Sequence, residues 1–272
     1  MSAAELAAAT VPALAVPSLA VRGLSKAFGG VQAVKDVSFQ VAEGELLALI
    51  GPNGAGKSTC FNMLNGQIRP DRGSVKLAGE ELVGLTPPEI WRRGVGRTFQ
   101  ITATFPSMTV AENVAMVLMS ERRELFSFTR SAVNRHRDEA LALLEMVGMA
   151  QQADRPCGVL AYGDLKRVEL AVALASNPRV LLMDEPTAGM APRERVALMG
   201  LAARLAHEKR VAVLFTEHDM DIVFSHADRI IVLSRGELIA EGKAEEIRRN
   251  PLVLKTYLGE GQVYGQDRGR KD

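Results

Sequence analysis

A nine-residue segment, GPNGAGKST, constrains the fold of this chain more than any other feature of its sequence. It follows a short apolar run, LLALI, and leads into a run with helical character, CFNMLNG. A strand, a glycine-rich turn and a helix in this order form the setting in which the G-x-x-x-x-G-K-[ST] pattern binds phosphate groups. The alternative, a glycine-rich turn that opens an ordinary helix, is disfavoured because motif and context agree. The segment therefore predicts an α/β fold with a nucleotide site at the end of a buried strand.

Each part of this phosphate loop has a predicted chemical role. Its glycines let backbone N–H groups turn toward phosphate oxygens, where a side chain would obstruct them. The N-terminus of the following helix adds its dipole and its free N–H groups. Lys57 is expected to reach the β- and γ-phosphates, and the Ser58 hydroxyl to ligate Mg²⁺. The candidate nucleotide-binding residues of the loop are Gly51, Pro52, Asn53, Gly54, Ala55, Gly56, Lys57, Ser58 and Thr59.

A second apolar run, VLLMDE, ends in two adjacent carboxylates, Asp184 and Glu185. Carboxylates at the end of a buried strand are costly unless a cation lies near them. In a doubly wound sheet, strand ends converge on the ligand crevice, so Mg²⁺ and Lys57 would compensate this charge. We expect Asp184 to hold Mg²⁺ through water and Glu185 to polarise the attacking water. Without the phosphate loop, the same acid pair would predict a helix cap as often as a catalytic site.

Apolar runs and helical patterns alternate along most of the chain. VAVLFTEH and IIVL resemble LLALI in being short and continuously apolar, which is typical of parallel strands covered on both faces. Near the start, SLAVRGLSKAF and VKDVSFQVAEG alternate apolar and polar residues, which predicts half-exposed antiparallel strands. The fold class is therefore α/β, with a mostly parallel sheet flanked by helices and an N-terminal antiparallel β subdomain.

Residues 100–177 have a different pattern, with amphipathic helices and no strand between them, which predicts an inserted helical subdomain. Thr109 and Glu112 form a capping box for its first helix. We expect a flexible tail at residues 1–18, one domain at 19–259 and a disordered tail at 260–272. The basic segment at 120–137 is expected to be a solvated loop.

Composition excludes several classes of function. The formal net charge is +1, which argues against a dedicated nucleic-acid binder. No apolar run reaches the roughly 18 residues that a membrane helix needs, so we expect membrane association only through partners. Cys60 and Cys157 have no metal-ligand spacing and are expected to be buried thiols rather than a disulfide. The N-terminus lacks the basic start and unbroken apolar centre of a secretory signal.

From about residue 19 to 259, the chain resembles the ATP-binding subunit of an ABC transporter, whose core is that of a P-loop NTPase. GPNGAGKST and VLLMDEP resemble its Walker A and Walker B motifs, and TFQ, ending at Gln100, resembles its Q-loop. LAYGD, at residues 160–164, is similar to the family signature, AGMAP to its D-loop and TEHDM to the segment with its switch histidine. Phe28, in SKAFGG, takes the place of the aromatic residue that stacks on adenine. The six motifs occur in the order of the family.

The resemblance implies that two such subunits sandwich two ATP molecules, each site pairing one Walker A loop with the signature of the other subunit. It adds Gln100 as a contact of Mg²⁺, His218 as a contact of the γ-phosphate and Phe28 as a contact of adenine. The alternatives are that Gln100 is a turn amide, that His218 is a core or metal-binding histidine, and that Phe28 is a core phenylalanine. The signature residues acting in trans would be Leu160, Ala161, Tyr162, Gly163 and Asp164.

This signature departs from the common Leu-Ser-Gly-Gly-Gln. Ala161 lacks a hydroxyl, and Asp164 would bring negative charge toward a phosphate, unless it faces away or caps the following helix. Ala191 stands where the D-loop usually has an acid. These departures weaken the composite site made with this signature, which favours an asymmetric heterodimer.

The chain further resembles the ATPases of importers of branched-chain amino acids and related amides. The resemblance lies in FGGVQAVKDVSF, the Tyr-Gly signature and the ending YLG. The resemblance implies a dimer with itself or a similar ATPase, two transmembrane permease subunits and, indirectly, an external solute-binding protein. It also implies a peripheral position on the cytoplasmic face of the cell membrane, with no nucleic acid. The alternatives are another cargo (urea, an aromatic acid or an exported lipid) and a non-transport ABC ATPase.

Overall fold

Two sheets and a set of helices make up the part of the chain that the computed structural model describes, residues 17–98, 104–122, 124 and 136–258. The described strands are β1 (Leu19–Phe28), β2 (Val31–Val41), β3 (Leu46–Ile50), β4 (Arg72–Leu77), β5 (Glu80–Glu81), β6 (Val95–Thr98), β7 (Val180–Asp184), β8 (Ala212–Thr216), β9 (Arg229–Ser234) and β10 (Glu237–Gly242). The described helices are α1 (Lys57–Leu64), α2 (Pro87–Arg92), α3 (Val110–Glu121), α4 (Arg137–Met146), α5 (Tyr162–Ala175), α6 (Pro192–Lys209), α7 (Met220–His226), α8 (Ala244–Arg249) and α9 (Pro251–Leu258).

The larger sheet has the order β10-β9-β3-β8-β7-β6 and is parallel except for β10. The four apolar runs form β3, β7, β8 and β9, so the predicted parallel core is confirmed. Because these strands are parallel, their carboxyl ends lie at one edge of the sheet. The short edge strand β6, with the sequence VGRT, was not predicted because it contains no continuous apolar run.

The predicted N-terminal antiparallel sheet is also confirmed, with the order β2-β1-β4-β5. Side chains of β3 alternate between the two faces of the parallel sheet. Leu47 and Leu49 pack into one core with the antiparallel sheet and Phe61 of α1. Leu46, Ala48 and Ile50 pack into a second core with the helices. This double coverage explains why β3 is apolar at every position.

Helices α3, α4 and α5 lie between β6 and β7 in the chain and pack against one another. The predicted capping box at the start of α3 is confirmed. The Glu112 N–H donates to the Thr109 hydroxyl at 3.2 Å, and the Thr109 N–H donates to the Glu112 carboxylate at 2.7 Å. The exact bounds of the helical subdomain and of the domain stay predictions. Most of residues 1–18 and of the 120–137 loop, and all of 260–272, lie outside the described residues.

Cys60 and Cys157 are buried, and neither forms a disulfide. Burial raises the pKa of the Cys60 thiol to about 12, so this thiol stays protonated. Across the described ranges, none of the helices combines the length and apolar character needed to cross a bilayer.

Candidate functional site

The phosphate loop between β3 and α1 depends on its glycines for a reason that the sequence did not indicate. A Cβ at Gly51 would overlap with the Leu233 carbonyl oxygen, and a Cβ at Gly56 would overlap with that of Ala33. Gly56 also has a φ of 103°, which few other residues adopt. These two glycines therefore let the loop pack against β2 and β9. Of the three loop glycines, Gly54 is the one with open space around it, which leaves room for a ligand.

Lys57 is buried at the start of α1, and its ammonium group folds back over the loop. Its Nζ donates to the carbonyl oxygens of Gly51 at 2.6 Å and Pro52 at 3.0 Å. Ser58 and Thr59 follow in the first turn of the helix, and Ser58 is exposed. The loop thus combines a fixed ammonium group, a hydroxyl and a helix N-terminus, which together suit a phosphate chain.

Asp184 is buried at the end of β7, and both of its carboxylate oxygens have partners. Its Oδ1 accepts from the Thr216 hydroxyl at 2.8 Å, and its Oδ2 forms an ion pair with Arg97 Nη2 at 3.4 Å. Sequence reasoning missed Thr216 and Arg97. The available signal for Thr216 was a polar residue at the end of an otherwise apolar run. A carboxylate here and the Ser58 hydroxyl in the phosphate loop match the oxygen ligands that Mg²⁺ takes beside nucleotide phosphates.

Glu185 adopts the left-handed backbone conformation, with a φ of 49°. Its N–H lies 3.1 Å from both the carbonyl and the hydroxyl oxygen of Thr216, and these contacts hold it there. Its carboxylate Oε1 lies 2.8 Å from His218 Nε2. Strained residues of this kind concentrate at functional sites. The structure therefore brings the two predicted catalytic residues into direct contact.

The neighbours of His218 have structural roles. The buried Glu217 carboxylate accepts from the N–H of Thr187 at 2.9 Å and from its hydroxyl at 2.6 Å. Asp219 caps α7 and forms an ion pair with Arg195 at 3.1 Å. Both acids thus fix the segment that carries His218 rather than extend a metal site.

Phe28 ends β1 beside the phosphate loop, because the hairpin that follows places Ala33 against Gly56. Its side chain is 47% exposed, which is unusual for a large aromatic residue in a strand. Lys26 Nζ lies 5.5 Å from the centroid of the ring. A ring with this exposure has free face area on which an adenine can stack. Gln100, the remaining predicted contact of nucleotide and Mg²⁺, lies outside the described residues.

The signature segment forms the start of α5, and the structure excludes one of the two alternatives for Asp164, that it caps this helix. The helix begins at Tyr162 with Ala161 in the cap position, so Asp164 lies inside the first turn and does not cap the helix. An acid anywhere in the first turn interacts favourably with the helix dipole. The presence of Asp164 in the sequence therefore did not identify the residue at which the helix begins. A Cβ at Gly163 would lie 3.0 Å from the Glu194 carboxylate. Two acids, Asp164 and Glu194, therefore flank this glycine.

Thr216→Val tests whether the hydroxyl between Asp184 and Glu185 orders the site. The substitution keeps the shape but removes both hydrogen bonds of the hydroxyl, at a cost of about 1–3 kcal/mol in unfolding free energy. We expect kcat for ATP hydrolysis to fall by about tenfold or more, by analogy with the loss of one positioned hydrogen bond in an active site.

The measurements are steady-state ATPase kinetics and urea unfolding, with Thr216→Ser as the matched control that keeps the hydroxyl. A wild-type kcat in Thr216→Val would mean that the Thr216 hydroxyl does not order the site.

Comparison with known proteins agrees with this geometry. The family model described as ABC transporter matches residues 34–188, and the model described as branched-chain amino acid ATP-binding cassette transporter matches residues 237–263. The high-affinity branched-chain amino acid transport ATP-binding protein BraF of Pseudomonas aeruginosa is 43% identical over 88% of this chain and 96% of its own length. The corresponding protein LivG of Escherichia coli is 40% identical over the same shares of the two chains.

Solved structures of ATP-binding cassettes are also similar. The ADP conformation of MJ1267, a cassette of an ABC transporter, has a TM-score of 0.78 and 30% identity, covering 89% of this chain and 99% of the other. A dimeric post-hydrolysis structure of the cassette MJ0796, bound to ADP and Pi, has a TM-score of 0.70 and 28% identity, covering 83% and 98%. With the phosphate loop and the paired Glu185 and His218, these matches show that the chain belongs to the ABC transporter family, as an ATP-binding cassette ATPase.

Proposed function

We propose that this chain hydrolyses ATP to energise a membrane importer for branched-chain amino acids or related amides. The contact between Glu185 and His218, next to the Asp184 carboxylate, carries the catalytic part of the proposal. The cargo rests on the two relatives, which are branched-chain amino acid transport ATP-binding proteins, and on the match of residues 237–263.

In this mechanism the residues around ATP have separate tasks. Phe28 stacks on the adenine, while the backbone N–H groups of the phosphate loop and Lys57 bind the phosphates. Ser58, Asp184 and Gln100 would hold Mg²⁺, which supplies positive charge to the phosphate oxygens. Glu185 accepts a proton from the attacking water, and His218 orients Glu185 and contacts the γ-phosphate.

An open groove supports the transport part of the proposal, and we propose that a permease subunit docks in it, so we call it the docking groove. The groove has a volume of about 590 Å³ and lies between the segment α2–β6 and helices α3 and α5. Its wall is largely apolar and includes Trp91, Phe105 and Val117. Among the described residues, three buried side-chain atoms lack a hydrogen-bond partner, and all three belong to residues that line this groove: Asn65 Nδ2, Arg97 Nε and Glu169 Oε1. Buried polar groups normally have partners, so these atoms favour a protein segment with polar backbone or side-chain groups as the occupant.

We further propose that the active form is a dimer with itself or a similar ATPase, on the cytoplasmic face of the membrane. The departures in the signature favour the similar ATPase. Ala161 has no hydroxyl to donate, and Asp164 and Glu194 place negative charge around Gly163, where a γ-phosphate of the partner site would approach. Like charges disfavour this approach.

A capture experiment tests the transport role. Glu185→Gln should bind ATP but stall hydrolysis, because the amide cannot accept the proton. We expect this variant, purified from native membranes with Mg²⁺ and ATP, to retain two multispanning membrane proteins and a second, similar ATPase.

The matched control is Glu185→Gln with Phe105→Asp, which places a charge in the apolar groove and should release the membrane proteins while ATP binding persists. Recovery of soluble or nucleic-acid partners alone would contradict the importer.

The signature asymmetry is tested in the captured assembly by placing an acid at Gly163. Gly163→Asp adds a third carboxylate beside Asp164 and Glu194. We expect the composite site made with this signature to contribute little to ATP hydrolysis. ATPase activity should fall by less than about twofold, whereas the same change in the second ATPase should lower it by about tenfold or more, as expected for loss of phosphate contacts in one productive site. Equal losses in the two variants would refute the asymmetry.

A further inference from the structure

The guanidinium group of Arg97 connects the carboxylate end of β7 to the phosphate-loop helix. Its Nη1 donates to Asn62 Oδ1 at 3.1 Å and to Gln67 Oε1 at 3.0 Å. Its Nη2 donates to Asp184 Oδ2 at 3.4 Å. The first two bonds anchor the group on α1 and the segment after it. The third is long for a charge-assisted hydrogen bond, which normally spans about 2.7–2.9 Å, and it is the longest of the three.

Each carboxylate oxygen of Asp184 already has one partner in this arrangement. Thr216 occupies Oδ1 and Arg97 occupies Oδ2. A metal ion that Asp184 helps to hold, directly or through water, would have to share or displace one of these contacts. Arginine does not lose its proton in proteins, so its positive charge opposes a second cation at the same carboxylate.

Arg97 also has a donor that the contacts above do not use. Its Nε is buried without a hydrogen-bond partner, and Arg97 contributes to the wall of the docking groove. Asn65 and Glu169, which line the same groove, also have buried side-chain atoms without a hydrogen-bond partner.

We propose that Arg97 is a positioning residue that balances the charge of Asp184 and is exchanged for Mg²⁺ when ATP binds. Asp184 turns to the metal, and Arg97 keeps its bonds to Asn62 and Gln67 while its remaining donors become available to an acceptor in the docking groove. Because coupling is reciprocal, an acceptor in the groove lowers the Mg²⁺ requirement of the ATP site. This inference rests on the proposed role of Asp184 as a Mg²⁺ ligand.

The test is a Mg²⁺ titration of the binding of a non-hydrolysable ATP analogue to the full chain. In Arg97→Met, we expect the half-saturating Mg²⁺ concentration to fall by about three- to tenfold, because a competing charge is removed. Arg97→Lys should stay near the wild-type value. The matched control is Arg229→Met, which removes an arginine that pairs with Glu45 at the opposite ends of the strands. An unchanged or increased Mg²⁺ requirement in Arg97→Met would overturn the proposal.

Thermal melting separates this role from packing. Arg97→Met should melt below wild type without Mg²⁺, and the difference should shrink with saturating Mg²⁺ and analogue. An equal decrease in melting temperature in both conditions would mean that Arg97 contributes only to packing, and would overturn the proposal. A wild-type chain whose analogue binding does not respond to Mg²⁺ would instead refute the metal role of Asp184. A response that Asp184→Asn abolishes would support that role.

The link to the groove is tested in the captured assembly. We expect the captured Glu185→Gln assembly to need less Mg²⁺ than the isolated Glu185→Gln chain, and the added change Arg97→Met to abolish this difference. If assembly lowers the Mg²⁺ requirement equally with and without the change Arg97→Met, the connection through Arg97 is overturned.

Discussion

The parallel register of β7 and β8 is the constraint on which the candidate site depends. Asp184 pairs with Thr216 across the two strands, which places the Thr216 hydroxyl against both the Asp184 carboxylate and the Glu185 N–H. The same register brings His218, two residues after β8, to the Glu185 carboxylate. A shift of one residue would turn each of these side chains to the other face of the sheet.

Charge balance explains how two adjacent acids can lie at the end of the buried strand β7. The sequence suggested Mg²⁺ and Lys57 as the compensating cations, and the structure adds Arg97, which forms an ion pair with Asp184. Glu185 has its partner in His218, and Lys57 is held by the carbonyl oxygens of the loop. Each acid therefore has its own partner at the edge of the sheet where a triphosphate would lie. These local pairs allow an acidic strand end to remain beside a largely apolar core.

The sequence was sufficient for the parallel core, the antiparallel sheet and the phosphate loop, because each has a local pattern that depends on few distant contacts. It was not sufficient for Arg97 and Thr216, whose roles follow from strand pairing across a large separation in sequence. It also gave an incomplete reason for Gly51 and Gly56, because their close neighbours, Leu233 and Ala33, come from other strands. It could not decide whether Asp164 caps α5 or lies within it, because an acid stabilises any position of the first turn.

Equilibrium binding of ATP to Lys57→Met is the decisive measurement of whether the loop at residues 51–59 binds the phosphates of ATP. We expect a loss of affinity of about tenfold or more, because a buried ammonium group beside the phosphates is removed. Lys76→Met, at an exposed position of β4, should bind ATP like the wild type. Wild-type affinity in Lys57→Met, with the fold intact by circular dichroism, would mean that the loop does not bind the phosphates as described.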